Sequence, residues 1–92
     1  MILRITPRAE GDIAAILSYV FERSPQGASR VGASIRRGIE FIAAHPSGGR
    51  QVRPTLFVKI LTDYPYKIFY RMTGGNIEVV HVRHTSRRHW FG

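Results

Sequence analysis

The sequence predicts an α+β domain in which two antiparallel helices pack on an antiparallel sheet of three or four strands. Two observations lead to this fold class. Apolar residues recur at three- and four-residue steps through residues 7–44, which is the period of helices with one buried stripe. From Thr55 onward, short runs rich in apolar and aromatic residues are separated by turn residues, which is the pattern of strands. The predicted order of elements is β-α-α-β-β-β.

The first half of the chain has clear start and stop signals. Ile2–Ile5 is a strand candidate, and Thr6–Pro7 then supplies a capping hydroxyl and a proline suited to the first turn of a helix. This helix should end near Ser24, which can also cap a second helix that begins at Pro25. The second helix should end before Pro46–Gly49, because that sequence breaks a helical pattern. Small residues within this helix allow close approach to a neighbour; they are Gly32, Ala33 and Gly38.

Alternation within the strands assigns their side chains to two faces. The three runs are Thr55–Leu61, Tyr66–Met72 and Ile77–Arg83, and a Gly74-Gly75 turn joins the last two. A helical hairpin covers only one face of a sheet, so the apolar set should lie beneath the helices. That set is Ile68, Tyr70, Val80 and Val82. The other face should carry Lys67, Phe69, Arg71, His81 and Arg83, a basic surface with one aromatic side chain that is typical of nucleic-acid binding.

The charge of the chain is its strongest bulk property. The 92 residues carry a net charge of +8, and residues 45–92 hold eight basic and two acidic side chains together with all four histidines. Such a basic half favours a nucleic acid or an acidic protein as partner. The length fits one domain over residues 1–92. The chain has no cysteine, no apolar run long enough to cross a membrane and no signal-peptide pattern, so we expect a cytoplasmic protein that does not bind membranes.

The histidines and glycines near the C-terminus do not predict a metal or cofactor site. His81 and His84 should lie on opposite faces of one strand, and no nearby carboxylate or thiol joins them or His89. Gly74-Gly75 is followed by a strand and not by a helix, so it is a hairpin turn and not a phosphate-binding loop. We therefore expect no metal and no cofactor.

Several stretches match, in order, the motifs of one protein family. Thr6–Ala9 followed by Asp12–Ile13 resembles the start of the family's first helix. The family's middle is resembled by Pro46, Gly49-Arg50 and Tyr64–Arg71. Its closing strand and basic tail are resembled by Ile77–His84 with Arg87-Arg88. On these stretches, nearly the whole chain resembles the RelE/ParE superfamily of toxins from bacterial type II toxin–antitoxin systems. The resemblance implies a sheet backed by two helices, and a cognate antitoxin whose C-terminal segment wraps the toxin.

Two biochemical branches share this fold, and the resemblance to the ParE-like branch is the stronger. Members of the RelE-like branch cleave messenger RNA in the ribosomal A site, whereas members of the ParE-like branch poison DNA gyrase. The long helical region, the Tyr64-Pro-Tyr66 stretch and the His84-x-x-Arg87-Arg88 ending resemble the ParE-like side. The resemblance therefore implies a toxin that inhibits growth by binding and poisoning DNA gyrase.

The ParE-like interpretation assigns target binding to basic residues of the last strands and tail. The cations would attach the toxin electrostatically, and the tryptophan would act as an anchor. The residues are Lys59, Lys67, Arg71, Arg83, His84, Arg87, Arg88 and Trp90.

The RelE-like alternative makes some of the same residues catalytic. Lys67 stands where the RNA-cleaving branch has an arginine, and Arg87 falls near the arginine of its tail. These two would hold the phosphate while Arg71 or His84 transfers the proton. A lysine at position 67 lacks the planar fork that arginine presents to phosphate, which favours a docking role over a catalytic one. The third hypothesis is a non-catalytic nucleic-acid-binding module, which predicts strongly salt-dependent binding to DNA or RNA.

Overall fold

The computed structural model describes residues 2–86, which form two helices on one face of a five-stranded sheet. The elements in chain order are β1 (Leu3–Ile5), α1 (Pro7–Arg23), α2 (Pro25–Ala44), a 3₁₀ turn (Pro46–Gly48), β2 (Arg50–Gln51), β3 (Leu56–Ile60), β4 (Tyr66–Thr73) and β5 (Asn76–His84). The strand order across the sheet is β1-β5-β4-β3-β2. The predicted α+β class, with its two-helix hairpin on a mainly antiparallel sheet, is confirmed.

Side-chain caps fix the bounds of both helices. The Thr6 hydroxyl accepts a hydrogen bond from the Ala9 N–H at 3.2 Å, and the Ser24 hydroxyl accepts one from the Gly27 N–H at 2.9 Å. The Ser24 N–H also donates to the Val20 carbonyl at 2.8 Å. Ser24 thus ends α1 and begins α2, as the sequence predicts. Neither helix has a stretch both long and apolar enough to cross a membrane.

The sheet differs from the prediction at both of its edges. β2, which is only two residues long, pairs with β3 as a fifth strand. At the other edge β1 pairs with β5 in parallel, with Leu3, Arg4 and Ile5 opposite Ile77, Glu78 and Val79, while the other neighbouring strands are antiparallel. Two residues are too few to show alternation, and the pairing of β1 joins residues more than 70 positions apart, which no local pattern reveals.

The β4–β5 hairpin contains the predicted turn and one feature that alternation did not predict. Gly74 and Gly75 have φ values of 57° and 79°, the left-handed conformation that a two-residue hairpin turn requires. Further along, a β-bulge makes Val80 an extra residue, because Phe69 is opposite His81 but Tyr70 is opposite Val79. Val80 is buried as expected, at 8% exposed, but it lies outside the main core cluster that contains Val82.

The core lies between the helices and the sheet. α1 packs on α2 and, within the sheet, on β5, while α2 reaches β4. The buried cluster of the core consists of Ala9, Ile16, Val31, Ile35, Ile42, Leu61, Tyr66, Ile68, Tyr70, Ile77, Val79 and Val82. Val79 thus occupies the core position that simple alternation gives to Val80. The Tyr70 hydroxyl, whose pKa is raised by burial, donates to the Pro46 carbonyl at 2.7 Å and accepts from the Gly49 N–H at 3.0 Å. These two hydrogen bonds hold the segment that follows α2 against the sheet.

Candidate functional site

The sheet face opposite the helices, here called the open face, carries side chains in three cross-strand rows. Residues directly opposite one another in neighbouring strands share a face, so the ladder register defines the rows. They are Arg4–Glu78–Arg71–Leu56, His81–Phe69–Val58–Arg50 and Arg83–Lys67–Ile60. Among the described residues, these rows hold five cations and one carboxylate around an apolar centre formed by Phe69 and Val58.

The row of Lys67 and Arg83 brings two cations together on neighbouring strands. They are opposite each other in the β4–β5 ladder, which places their Cβ atoms about 5 Å apart. The Lys67 Nζ lies 5.5 Å from the centroid of the Phe69 ring, within the range of a cation–π contact. Ile60 continues this row and is 49% exposed. The row can therefore offer both positive charge and apolar surface to a partner.

The row that contains Arg4, Glu78 and Arg71 carries less net positive charge than the row of Lys67 and Arg83. The Arg71 Nη1 lies 3.3 Å from one Glu78 oxygen, and Arg4 donates to the other Glu78 oxygen. The hydrogen bond from Arg4 contributes most to holding the pKa of Glu78 below its ordinary value, and the charges of Arg4 and Arg71 add to it. Glu78 thus offsets part of the positive charge on this row, so Arg71 is a weaker anion attractor than its charge alone suggests.

His81 lies beside a buried carboxylate of α1. Asp12 is 6% exposed, and its Oδ2 accepts a hydrogen bond from the Val82 N–H at 3.1 Å while its Oδ1 accepts one from Arg8 at 3.3 Å. The His81 Nδ1 is 3.6 Å from the same Oδ2. Burial, followed by the charges of Arg83 and Arg8, lowers the pKa of His81 more than Asp12 raises it. His81 is therefore mostly neutral at pH 7 and adds little charge to the open face.

The structure places Lys67, Arg71 and Arg83 on the open face, as alternation predicts, and their role in binding stays a prediction. It adds two arginines, Arg4 and Arg50, that the sequence analysis did not select. Arg4 joins the face through the parallel β1–β5 pairing, and Arg50 joins it through the two-residue β2. Alternation in Ile2–Ile5 could have separated Arg4 from its apolar neighbours, but only the pairing shows which face it occupies.

Lys59 lies on the other side of the sheet. It is opposite Ile68, whose side chain is fully buried in the core, so Lys59 faces the helices. Its Nζ lies 4.3 Å from the centroid of the Phe41 ring on α2. The structure therefore does not bring Lys59 together with Lys67.

His84 also lies on the helix side. It is opposite the core residue Tyr66, and the two rings meet edge to face with their centroids 5.4 Å apart. The His84 Nδ1 accepts a hydrogen bond from the Ser86 N–H at 3.2 Å, so the neutral ring carries its proton on Nε2. His84 and Lys67 therefore lie on opposite faces of the sheet.

The residues that the catalytic alternative requires, as far as the structure describes them, do not lie close together. Lys67 and Arg71 are four residues apart on one strand, which separates them by about 13 Å. His84 is on the opposite face, and Arg87, Arg88 and Trp90 lie outside the described residues. Within residues 2–86, no three side chains of the metal-binding types converge to hold an ion.

Comparison with known proteins defines the class to which this fold and this basic face belong. A family model described as the ParE toxin of type II toxin–antitoxin systems matches residues 3–89. The chain therefore belongs to the ParE toxin family, and the superfamily predicted from the sequence is confirmed. Membership implies a cognate antitoxin as partner.

Individual relatives agree with this assignment. Toxin RelE2 of Caulobacter vibrioides is 32% identical over 82 residues, which cover 89% of this chain and 92% of the relative. Putative toxin Y4kP of Sinorhizobium fredii is 31% identical over 88 residues, which cover 94% and 90%. A chain of the chromosomal ParDE system of P. aeruginosa superimposes with a TM-score of 0.81 over 94% of this chain and 97% of that one, at 21% sequence identity. The last comparison shows that the fold is shared.

Proposed function

We propose that this toxin inhibits growth by binding DNA gyrase, in its complex with DNA, through the open face. The relatives carry both RelE and ParE names, so they leave the target open. The observation that supports gyrase is the arrangement of the basic side chains. Lys67 and Arg83 form a pair suited to attachment. The nuclease alternative needs Arg71 or His84 for proton transfer beside Lys67, and neither of them lies next to Lys67.

The open face is suited to a target made of both protein and DNA. The Lys67–Arg83 pair and Arg50 would contact phosphates, and the net charge of +8 would speed the encounter. The exposed Ile60 and the half-buried Phe69 give apolar surface for a protein contact beside those cations. The toxin would act by trapping the gyrase–DNA complex, and the antitoxin would relieve inhibition by covering this face.

Supercoiling by purified gyrase, measured beside ribosome-dependent cleavage of messenger RNA, tests the proposal. We expect wild-type toxin to inhibit supercoiling and leave the messenger intact. The double variant Lys67→Ala/Arg83→Ala should need at least ~10-fold more toxin for half inhibition, because it loses two adjacent phosphate contacts. The matched control is Arg36→Ala, which removes an exposed cation from α2 and should inhibit like wild type.

Two results would contradict this function. Messenger cleavage that is lost in Lys67→Ala, with gyrase unaffected, would establish the RelE-like activity instead. Steeply salt-dependent binding to naked DNA or RNA, with no growth arrest on expression, would indicate a simple nucleic-acid-binding module.

A further inference from the structure

The turn that joins β2 to β3, here called the β2–β3 turn (residues 52–55), is exposed along its whole length. Its own hydrogen bonds close it. The Val52 N–H at 2.8 Å and the Arg53 N–H at 3.2 Å both donate to the Leu56 carbonyl, and the Leu56 N–H donates back to the Arg53 carbonyl at 3.2 Å. The strands therefore end in a narrow tip with a defined shape.

Three further features hold the β2–β3 turn in this shape. Pro54 is the second residue of the turn from Arg53 to Leu56, a position where the proline ring fixes φ to the value that the turn needs. The Gln51 Nε2 donates to the Pro54 carbonyl at 3.1 Å, and the Met72 N–H of β4 donates to the Thr55 carbonyl at 2.9 Å. Little conformational freedom would be lost when a partner binds the turn.

Two arginines without a carboxylate partner flank the tip. Within residues 2–86, neither Arg50 nor Arg53 forms a salt bridge. Three residues of extended chain span about 10 Å, so the two lie no farther apart along the backbone than that. The sequence has no Asp or Glu between Glu40 and Asp63. This segment can therefore offer both cations to an anionic partner.

The β2–β3 turn is separate from the row of Lys67 and Arg83. The turn adjoins Leu56 at one end of β3, whereas that row continues to Ile60 at the other end. Leu56 and Ile60 are four residues apart, which separates them by about 13 Å. The turn can thus bind a different part of the same partner.

The dimensions of the tip fit one groove of DNA. Neighbouring strands lie about 5 Å apart, so a two-stranded ribbon with its side chains fits the major groove of B-DNA, about 12 Å wide, but not the minor groove, about 6 Å wide. Val52 is 41% exposed and gives the tip apolar surface. The major groove displays the methyl groups of thymine, which bind such side chains.

We propose that the β2–β3 turn enters the major groove of duplex DNA, with Arg50 and Arg53 on phosphates at the rim of the groove. The net charge of +8 would draw the toxin to DNA. An acidic protein surface would also attract the arginines, but the narrow tip with its exposed valine fits a groove. The inference rests on the proposed function, in which DNA is part of the target, and it adds a DNA contact at the other end of β3.

Binding to a labelled DNA duplex, measured by fluorescence anisotropy at several salt concentrations, tests the arginines. Arg50→Ala/Arg53→Ala should bind at least ~10-fold more weakly at low salt. The slope of log affinity against log salt should become shallower by about 2, because each lost phosphate contact removes about 0.9. The matched control is Arg30→Ala/Arg36→Ala, which removes two exposed cations from α2 and should keep the wild-type slope. Equal losses in the two double variants would reflect net charge alone and overturn the inference.

Competition with groove-binding dyes tests the groove. Methyl green, which occupies the major groove, should displace wild-type toxin from the duplex, and netropsin, which occupies the minor groove, should not. Displacement by netropsin alone would overturn the inference. So would unchanged DNA affinity of Arg50→Ala/Arg53→Ala together with weaker inhibition of gyrase, since the turn would then bind an acidic protein surface. Neither DNA assay contains gyrase, so a toxin that binds DNA through this turn without inhibiting supercoiling would refute the proposed function alone.

Discussion

Asp12 joins the first helix to the last strand through one buried carboxylate. β1 ends at Ile5, and beyond that point no strand within residues 2–86 neighbours the outer edge of β5. The carboxylate takes the place of a strand partner for the Val82 N–H, and Arg8 balances its charge. A buried N–H without an acceptor is costly, so this residue stabilises an edge that the sheet leaves incomplete.

Replacing Asp12 should therefore destabilise the protein. We expect Asp12→Ala to lower the free energy of unfolding by about 2–3 kcal/mol, because the Val82 N–H stays buried without its acceptor. Asp12→Asn should lose less, since the amide oxygen can still accept that bond. Urea unfolding measures both. Glu40→Ala, an exposed carboxylate of α2, is the control and should stay within about 0.5 kcal/mol of wild type; an equal loss in Glu40→Ala would refute the role of Asp12.

The candidate site shows how far side-chain alternation can be trusted. Alternation placed Lys67, Arg71 and Arg83 correctly because they lie on long strands and none of them is at the bulge. It could not place Lys59, since the face of β3 depends on how residues 62–65 turn the chain into β4.

At the scale of elements, α2 approaches the sheet closely at one glycine. A Cβ at Gly38 would lie 2.7 Å from the Leu61 Cδ2 and 2.9 Å from the Ile68 Cδ1, both closer than van der Waals contact allows. Gly38 is thus the small residue that lets α2 cover β4. The sequence indicated such close approach, and the structure shows which of the small residues makes it.

The two helical glycines Gly38 and Gly11 should respond oppositely to alanine. We expect Gly38→Ala to lower the free energy of unfolding by about 1 kcal/mol, since overpacking of ~1–3 kcal/mol exceeds the ~1 kcal/mol gain in helix propensity. A Cβ added at Gly11 would meet no atom within 4 Å, so Gly11→Ala should raise the free energy of unfolding by up to about 1 kcal/mol. Thermal and urea unfolding of the pair check this. Stabilisation of both variants would show that the core yields at Gly38.

The starts and approximate ends of the helices were predictable, and the edges of the sheet were not. Helix bounds depend on local signals, the caps at Thr6 and Ser24 and the prolines that follow them. The two-residue β2, the bulge at Val80 and the parallel partner of β1 depend on contacts that only the folded sheet supplies. Long-range pairing thus determines the composition of the open face.

At the scale of the whole molecule, three side chains within residues 2–86 link stability to pH in the same direction. Burial lowers the pKa of His81 from 6.5, so its protonation is disfavoured in the folded state. The pKa of Glu78 is lowered from 4.5, chiefly by Arg4, and that of Asp63 is lowered from 3.8, chiefly by Ser34. In each case the unfolded chain binds protons more readily, so stability falls as the pH falls.

This linkage predicts losses in two pH ranges. The His81 contribution is fully present well above pH 6.5 and is lost as the pH falls toward its lower folded pKa. The contributions of Glu78 and Asp63 are lost below about pH 4.5. Urea unfolding at several pH values should show that His81→Asn reduces the first loss and Glu78→Gln reduces the second. A first loss of equal size in His81→Asn would contradict the assignment.

The order of strands in the sheet has a consequence for synthesis of the toxin. β5 is the last strand of the described chain, yet it lies inside the sheet, between β1 and β4. While the ribosome is still translating β4, the nascent chain has no partner for β1, and the row of Lys67 and Arg83 does not exist. The sheet can close only after residues 76–84 have left the exit tunnel. The binding surface that we propose is therefore complete only after β5 has emerged from the ribosome.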